Sequence, residues 1–429
     1  MKLGLFASAL LLAIPATVSA AATRRVKING EVFVDANSGE TLLLTGVSGD
    51  TFCQDDTGED CAATGTCHTC STFNQADIDN IKSMGWTTIR LGVTWAGAQP
   101  RDEGKLDADF VARLHDILDL TDANGIHVIL DNHGDMVTSA GCGNGVPVWF
   151  AQKAAPDLIG KPLTTALPYS LFVNVKDVGG YDHCGDNEDM WAEHAGDPNY
   201  NLLNQCCIAM NGPNPAGLGY TRIAQETMTH MVKEGPGRDD FVRYWKLLAD
   251  EVKDHPSAFA FELMNEPMTI HRKQMFDCWK ETAEEIIKIV PDASISLADV
   301  GEGAVYPSWL GKWAPDLDIS SDTSNWIKDS ENVFYAWHYY GQPSDPKDAV
   351  KNVQALGKSW NVPTMLTEFM DCGAMAAAEE AKIGWNYWHY SAYCNHGADS
   401  DHYFANKTEA DFGACILGWG GGNSQKTCD

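Results

Sequence analysis

Positive charge is scarce in this chain. Its 429 residues carry 30 Lys and Arg against 59 Asp and Glu, a formal net charge of −29 at pH 7. So acidic a surface repels phosphate backbones and anionic bilayers, so nucleic acid is excluded as a partner. Long apolar runs are missing too. The one near the start, Leu3 to Ile14, is shorter than the ~20 residues needed to cross a bilayer, so no stable membrane span is expected. It follows Met1-Lys2 and leads into Val18-Ser19-Ala20, a small-residue cleavage site. Residues 1–20 are therefore expected to be a signal peptide and the mature protein to be secreted. No Gly-x-Ser-x-Gly elbow is present, which argues against a serine triad. No Gly-x-Gly-x-x-Gly turn follows a strand and no Walker loop occurs, so neither a cofactor nor a metal is expected. Neither an internal repeat nor a Ser/Pro linker to an appended module is visible.

Hydrophobic residues make up 44% of the chain, enough for a sizeable core. Thirteen cysteines suit an oxidising compartment, and their odd number leaves at least one unpaired or paired between chains. Cys53, Cys61, Cys67 and Cys70 have spacings that could hold zinc. Without matching His pairs, structural disulfides pinning a loop are the better reading. Asn406-Lys407-Thr408 is an acceptor sequon, consistent with a glycoprotein.

Beyond a small hairpin around Asn37-Ser38-Gly39, apolar strands alternate with helical periodicity. Strands are expected at about 42–47, 87–93, 126–131, 258–264, 294–298, 332–337, 364–367 and 383–388, with helices at about 75–84, 107–123, 241–252, 276–290, 347–360 and 374–382. Eight strands with seven connections able to hold helices fit a (β/α)8 TIM barrel, and an open doubly wound sheet fits less well. Residues 133 to about 220 break the rhythm and read as a long, cysteine-rich elaboration on the catalytic face, with an extra helix at 221–233. The strand-poor stretch 299–331 reads as a second long loop. Residues 21–429 are thus expected to form a single catalytic domain.

Chemistry concentrates at strand ends. Phe259-Ala260-Phe261-Glu262-Leu263-Met264 runs into Asn265-Glu266-Pro267, and Pro267 limits Glu266 to extended or turn geometry. Thr364-Met365-Leu366-Thr367 ends in Glu368. Two carboxylates facing one another across a barrel mouth can divide the labour of glycosidic cleavage, one as nucleophile and one as acid/base. Arg90 is placed to keep Glu368 ionised. His133 is placed to bond a sugar hydroxyl or the nucleophile. His338 and Tyr340 share one face and could position Glu266 and Glu368 respectively. Trp388 offers an apolar ring to a pyranose.

This ordered set resembles glycoside hydrolase family 5. The resemblance covers about Gly30 to Tyr390 and implies a retaining mechanism on a barrel, with Glu266 of the Asn-Glu-Pro motif as acid/base and Glu368 as nucleophile. Arg90, His133, Asn265, the His338-Tyr339-Tyr340 pair and Trp388, in preference to Trp385, match the family's supporting positions. Asp131-Asn132-His133-Gly134-Asp135, Gly143 to Trp149 and Phe241-Val242-Arg243-Tyr244-Trp245 look like the endoglycoceramidase-related branch. The substrate expected first is a β-linked oligosaccharide or polysaccharide, that is a β-glucan or β-glucoside. A glycosphingolipid comes second. A non-catalytic carbohydrate-binding barrel comes third, disfavoured because a binder needs no carboxylate pair.

Overall fold

The computed structural model describes residues 24–49, 73–101, 104–134, 137–141, 143, 145–159, 163–168, 170, 219–298, 319–340 and 345–390. It opens on a three-stranded antiparallel sheet of β1 (Val26–Asn29), β2 (Val32–Asp35) and β3 (Thr41–Leu42). Phe33 of this sheet meets Phe334 and Phe259 edge-on, with ring centroids 5.3 and 6.1 Å away. Both partners lie at the starts of barrel strands, so the small sheet covers the end of the barrel at which its strands begin.

Eight parallel strands then close on themselves in chain order: β4 (Thr45–Gly49), β5 (Thr88–Gly92), β6 (His127–Asp131), β7 (Ala258–Glu262), β8 (Ser294–Ser296), β9 (Val333–Tyr339), β10 (Thr364–Phe369) and β11 (Gly384–Tyr390). Such strands bury both faces, which is why they read as nearly continuous apolar runs. Around them lie α1 (Gln75–Ser83), the short α2 (Trp95–Ala98), α3 (Ala108–Asn124), α4 (Val148–Ala154), α5 (Arg222–Val232), α6 (Pro236–Val252), α7 (Arg272–Ile289), α8 (Ser321–Asp329), α9 (Pro346–Trp360) and α10 (Cys372–Glu380). The expected TIM barrel is present.

Local chemistry explains the boundaries. The Asp107 side chain accepts from the N–H groups of Asp109 and Phe110 to start α3, and Gly125, at φ +72°, ends it in the left-handed conformation. Several boundaries and elements depart from expectation. The first barrel strand begins at Thr45 because Leu42 pairs instead with Phe33 in the antiparallel sheet. Helix α6 begins at Pro236, five residues before Phe241, since the N–H groups of a first helical turn have no intrahelical acceptor and proline, which lacks an N–H, costs nothing there. Helix α8 occupies part of the stretch expected as loop. The Ser320 hydroxyl accepts from Thr323 N–H and Ile327 is buried, but so small an apolar face gives little periodicity to read.

Cys278 on α7 is a free, buried thiol, pushed up to about 12 by burial. Cys372 is disulfide-bonded. The leader expected at 1–20, the other eleven cysteines, the sequon at Asn406 and most of the 133–220 elaboration lie outside the described residues. Among the described residues, no helix is long and apolar enough to cross a membrane.

Strand β4 approaches β5 so closely at Gly46 that a Cβ there would sit 1.7 Å from the carbonyl oxygen of Thr88. Backbone cannot retreat as a side-chain tip can. Gly46→Ala should therefore cost about 3 kcal/mol, read from denaturant midpoints, and an unchanged midpoint would contradict this register.

Candidate active site

Arg90, the third residue of β5, is wholly buried inside the barrel. Its Nε and Nη2 donate to Glu262 Oε2 at 3.1 Å and Oε1 at 2.9 Å. Nη2 also donates to Asn265 Oδ1 at 2.7 Å and lies 3.0 Å from Asp131 Oδ2. Nη1 donates to Glu368 Oε2 at 3.1 Å. Burial alone would favour loss of the guanidinium proton. The charges of Asp131, Glu262 and Glu368 outweigh that and hold it above its ordinary value. Asp131 and Glu262 are register partners at the ends of β6 and β7, so the strand pairing itself puts two carboxylates around one cation.

Glu368 is 5% exposed. Its second oxygen, Oε1, accepts from the Tyr340 hydroxyl. Tyr340 leaves 42% of its surface exposed, yet its hydroxyl turns inward to reach that carboxylate. Burial, then the charge of Glu368, pushes this phenol well above its usual range. Burial also drives Glu368 up. His338 and Arg90 oppose the shift and Glu266 reinforces it, with a net upward result.

His338 Nδ1 lies 2.8 Å from Glu266 Oε1 and 3.8 Å from Glu368 Oε2. Burial works against its charged form, but Glu368 and the bond to Glu266 raise its pKa overall. Carboxylate oxygens of Glu266 and Glu368 and a ring nitrogen of His338 all lie within 4.8 Å of one another. The Glu266 side chain is 30% exposed, facing the opening, whereas that of Glu368 is 7% exposed. Glu266 adopts φ +37°, in the left-handed region rather than the extended one. That conformation is strained for a non-glycine residue, and strain of this kind concentrates at functional sites.

His133 Nδ1 contacts Asp131 Oδ2 at 2.7 Å, and its ring stacks on Trp388 at 4.9 Å and 12°. Trp385 is 2% exposed and packs edge-on against Trp86 and Phe369, which leaves Trp388 as the strand's contribution to the mouth. Glu266, His338 and Glu368 are spaced closely enough to surround a cation. However, both Glu368 oxygens are already engaged, one by a guanidinium, and the His338–Glu266 contact has hydrogen-bond length. This donor set suits a neutral, hydroxyl-rich ligand better than a metal.

Three contributors escaped the sequence. Glu262 and Asp131 are the main counter-charges of Arg90. A polar residue ending an apolar strand was the only hint of either. Tyr220, whose phenol is raised by burial and by the charge of Glu266, belongs to a region read only as loop.

The chain matches the family model "Cellulase (glycosyl hydrolase family 5)" over residues 54–157 and 222–407. It belongs to glycosyl hydrolase family 5. Among curated relatives, Endoglycoceramidase I of Rhodococcus hoagii (strain 103S) is 24% identical over 353 residues, covering 75% of this chain and 61% of that protein. Endoglycoceramidase of Hydra vulgaris is 25% identical over 199 residues, covering 46% of this chain and 32% of that one. The chain thus spans less than two thirds of these relatives' length. Solved structures share the fold. A crystal structure of endogalactoceramidase aligns with a TM-score of 0.57 at 15% identity, covering 85% of this chain and 74% of that one. Endo-glycoceramidase II from Rhodococcus sp., in a ganglioside GM3 complex, aligns at 0.52 and 16%, covering 84% and 76%.

The raised Glu368 has a thermodynamic consequence for this family 5 chain. Above the ordinary carboxylate value, the native protein keeps a proton that the unfolded chain has released. The stability this group contributes is complete below the unfolded pKa and is lost as pH rises through the folded one. Glu368→Gln, permanently neutral, should raise the melting temperature more at pH 8 than at pH 5. An equal change at both pH values would show that Glu368 is not raised.

Proposed function

We propose that this family 5 enzyme is a retaining β-glycosidase of glycolipids, releasing the sugar portion of a glycosphingolipid from its lipid. Glu368 is its nucleophile and Glu266 its acid/base. The observation that carries the mechanism is the approach of the two carboxylates within 4.8 Å. Oxygens this close fit a retaining pair, whose carboxyl groups are ~5–5.5 Å apart, better than an inverting pair at ~6.5–9.5 Å, which leaves room for a water.

In the first step a Glu368 oxygen attacks the anomeric carbon. The bond from that carbon to the leaving oxygen breaks as Glu266 gives the oxygen its proton. In the second, water adds to the anomeric carbon, Glu266 takes the water's proton, and Glu368 leaves with the electron pair of the ester bond. Arg90 and Tyr340 hold the two oxygens of Glu368 and stabilise it when it leaves. His338 holds Glu266, the more exposed carboxyl, towards the opening. Trp388, braced on His133, presents an apolar ring to the sugar.

The sequence placed free β-glucans and β-glucosides ahead of glycolipids, and the relatives favour the reverse order. Alongside the endoglycoceramidases stand shorter matches to glucosylceramidases, such as that of Aspergillus fumigatus, and to an ergosteryl-beta-glucosidase of Saccharomyces cerevisiae. Each of these names describes a sugar attached to a lipid. The second reading, a β-glucanase, is favoured by the cellulase description of the matched family. The leader expected at residues 1–20 would place its action outside the cell.

Purified protein should release the glycan from a glycosylated ceramide in detergent micelles with retention at the anomeric carbon. Release from laminarin or cellulose oligomers, with none from the glycolipid, would transfer the conclusion to the second reading. Glu368→Gln should lower turnover by on the order of 10³-fold or more. Glu266→Ala should slow glycosides of poor leaving groups by about 10²- to 10⁴-fold, and activated aryl glycosides far less. Equal slowing of both substrate classes would remove Glu266 from the acid role.

A further inference from the structure

Glu262 ends β7, four residues before Glu266, and is fully buried. Both of its oxygens are given to Arg90, one on Nε and one on Nη2. This two-point clamp holds one edge of the planar guanidinium and leaves Nη1 directed at Glu368 Oε2, 3.1 Å away. A buried carboxylate is costly to desolvate, and a side chain that only filled space there could be apolar. The charge itself therefore needs an account. Arg90 carries one positive charge and faces three carboxylates, Asp131, Glu262 and Glu368. Whatever share of that charge Glu262 takes is withheld from Glu368.

We propose that Glu262 is a positioning residue for glycosyl transfer, fixing the edge of Arg90 and offsetting its charge so that Glu368 stays basic enough to attack the anomeric carbon. The proposal rests on Glu368 being the nucleophile. The other groups facing Glu368 are His338 from β9, Tyr340 just beyond it, Glu266 beyond β7 and, at longer range, His133 beyond β6.

The test is the pH profile of kcat/KM on an aryl β-glycoside, measured for the whole enzyme. Glu262→Gln removes the charge and keeps the shape. Glu368 should then ionise more readily, moving the acidic limb down by about one pH unit. Glu262→Asp keeps the charge and withdraws the clamp by one methylene. It should leave the acidic limb in place and lower kcat by on the order of 10- to 100-fold, with KM within about threefold. A Glu262→Gln profile that superimposes on wild type after scaling, or a Glu262→Asp enzyme with wild-type kcat, overturns the proposal. Should Glu262→Gln fail to fold, the kcat of Glu262→Asp decides. An active Glu368→Gln enzyme would instead sink the nucleophile assignment, so the two failures are separable.

Discussion

One buried cation organises this site. Arg90 sits inside the barrel away from the surface, and its charge is tolerable only because the ends of β6, β7 and β10 bring Asp131, Glu262 and Glu368 to it. The dependence runs both ways. Three carboxylates packed this closely could not all remain ionised without a guanidinium among them. The planar fork of Arg also has enough donors to meet several strands at once, which a lysine ammonium could not do with fixed geometry. Barrel closure and site electrostatics are thus one problem, since the pairing of Asp131 with Glu262 across β6 and β7 builds half of the cage.

From that centre the two candidate catalytic carboxyls acquire different surroundings. Glu368 is enclosed and bonded at both oxygens. Glu266 is more open, bonded through His338, and held in a left-handed backbone conformation at the start of its loop. Pairs of titratable groups whose environments differ in this way can take opposite roles in one reaction. His338 lies between them, and although burial works against its charged form, the charge of Glu368 and the bond to Glu266 make it retain its proton more strongly than an isolated histidine.

Much of this was legible in the residues. Apolar runs such as Val128 to Leu130 and Phe259 to Phe261 announce strands buried on both faces, and the acidic residues that interrupt their ends announce a site. Alternation along β11 separates Trp385, packed among core rings, from Trp388 at the mouth. Glu262 and Asp131 were not legible as partners of Arg90, because nothing local indicates a contact so distant in the chain, 172 residues away for Glu262. Helix α8 went unseen because capping by Ser320, rather than an apolar stripe, marks its start. Substrate class was the least legible of all. It depends on the loops over the barrel mouth, whereas the motifs report the barrel and its common chemistry.

The central claim is that Glu368 forms a covalent bond to the sugar while Glu266 serves the leaving oxygen. An activated 2-deoxy-2-fluoro-β-glycoside, which slows release of the sugar once it is attached, tests this directly by mass spectrometry of the digested protein. The account predicts time-dependent inactivation with one fluorosugar on the peptide containing Glu368, at that residue. A label on Glu266, or steady turnover with no adduct, would contradict it.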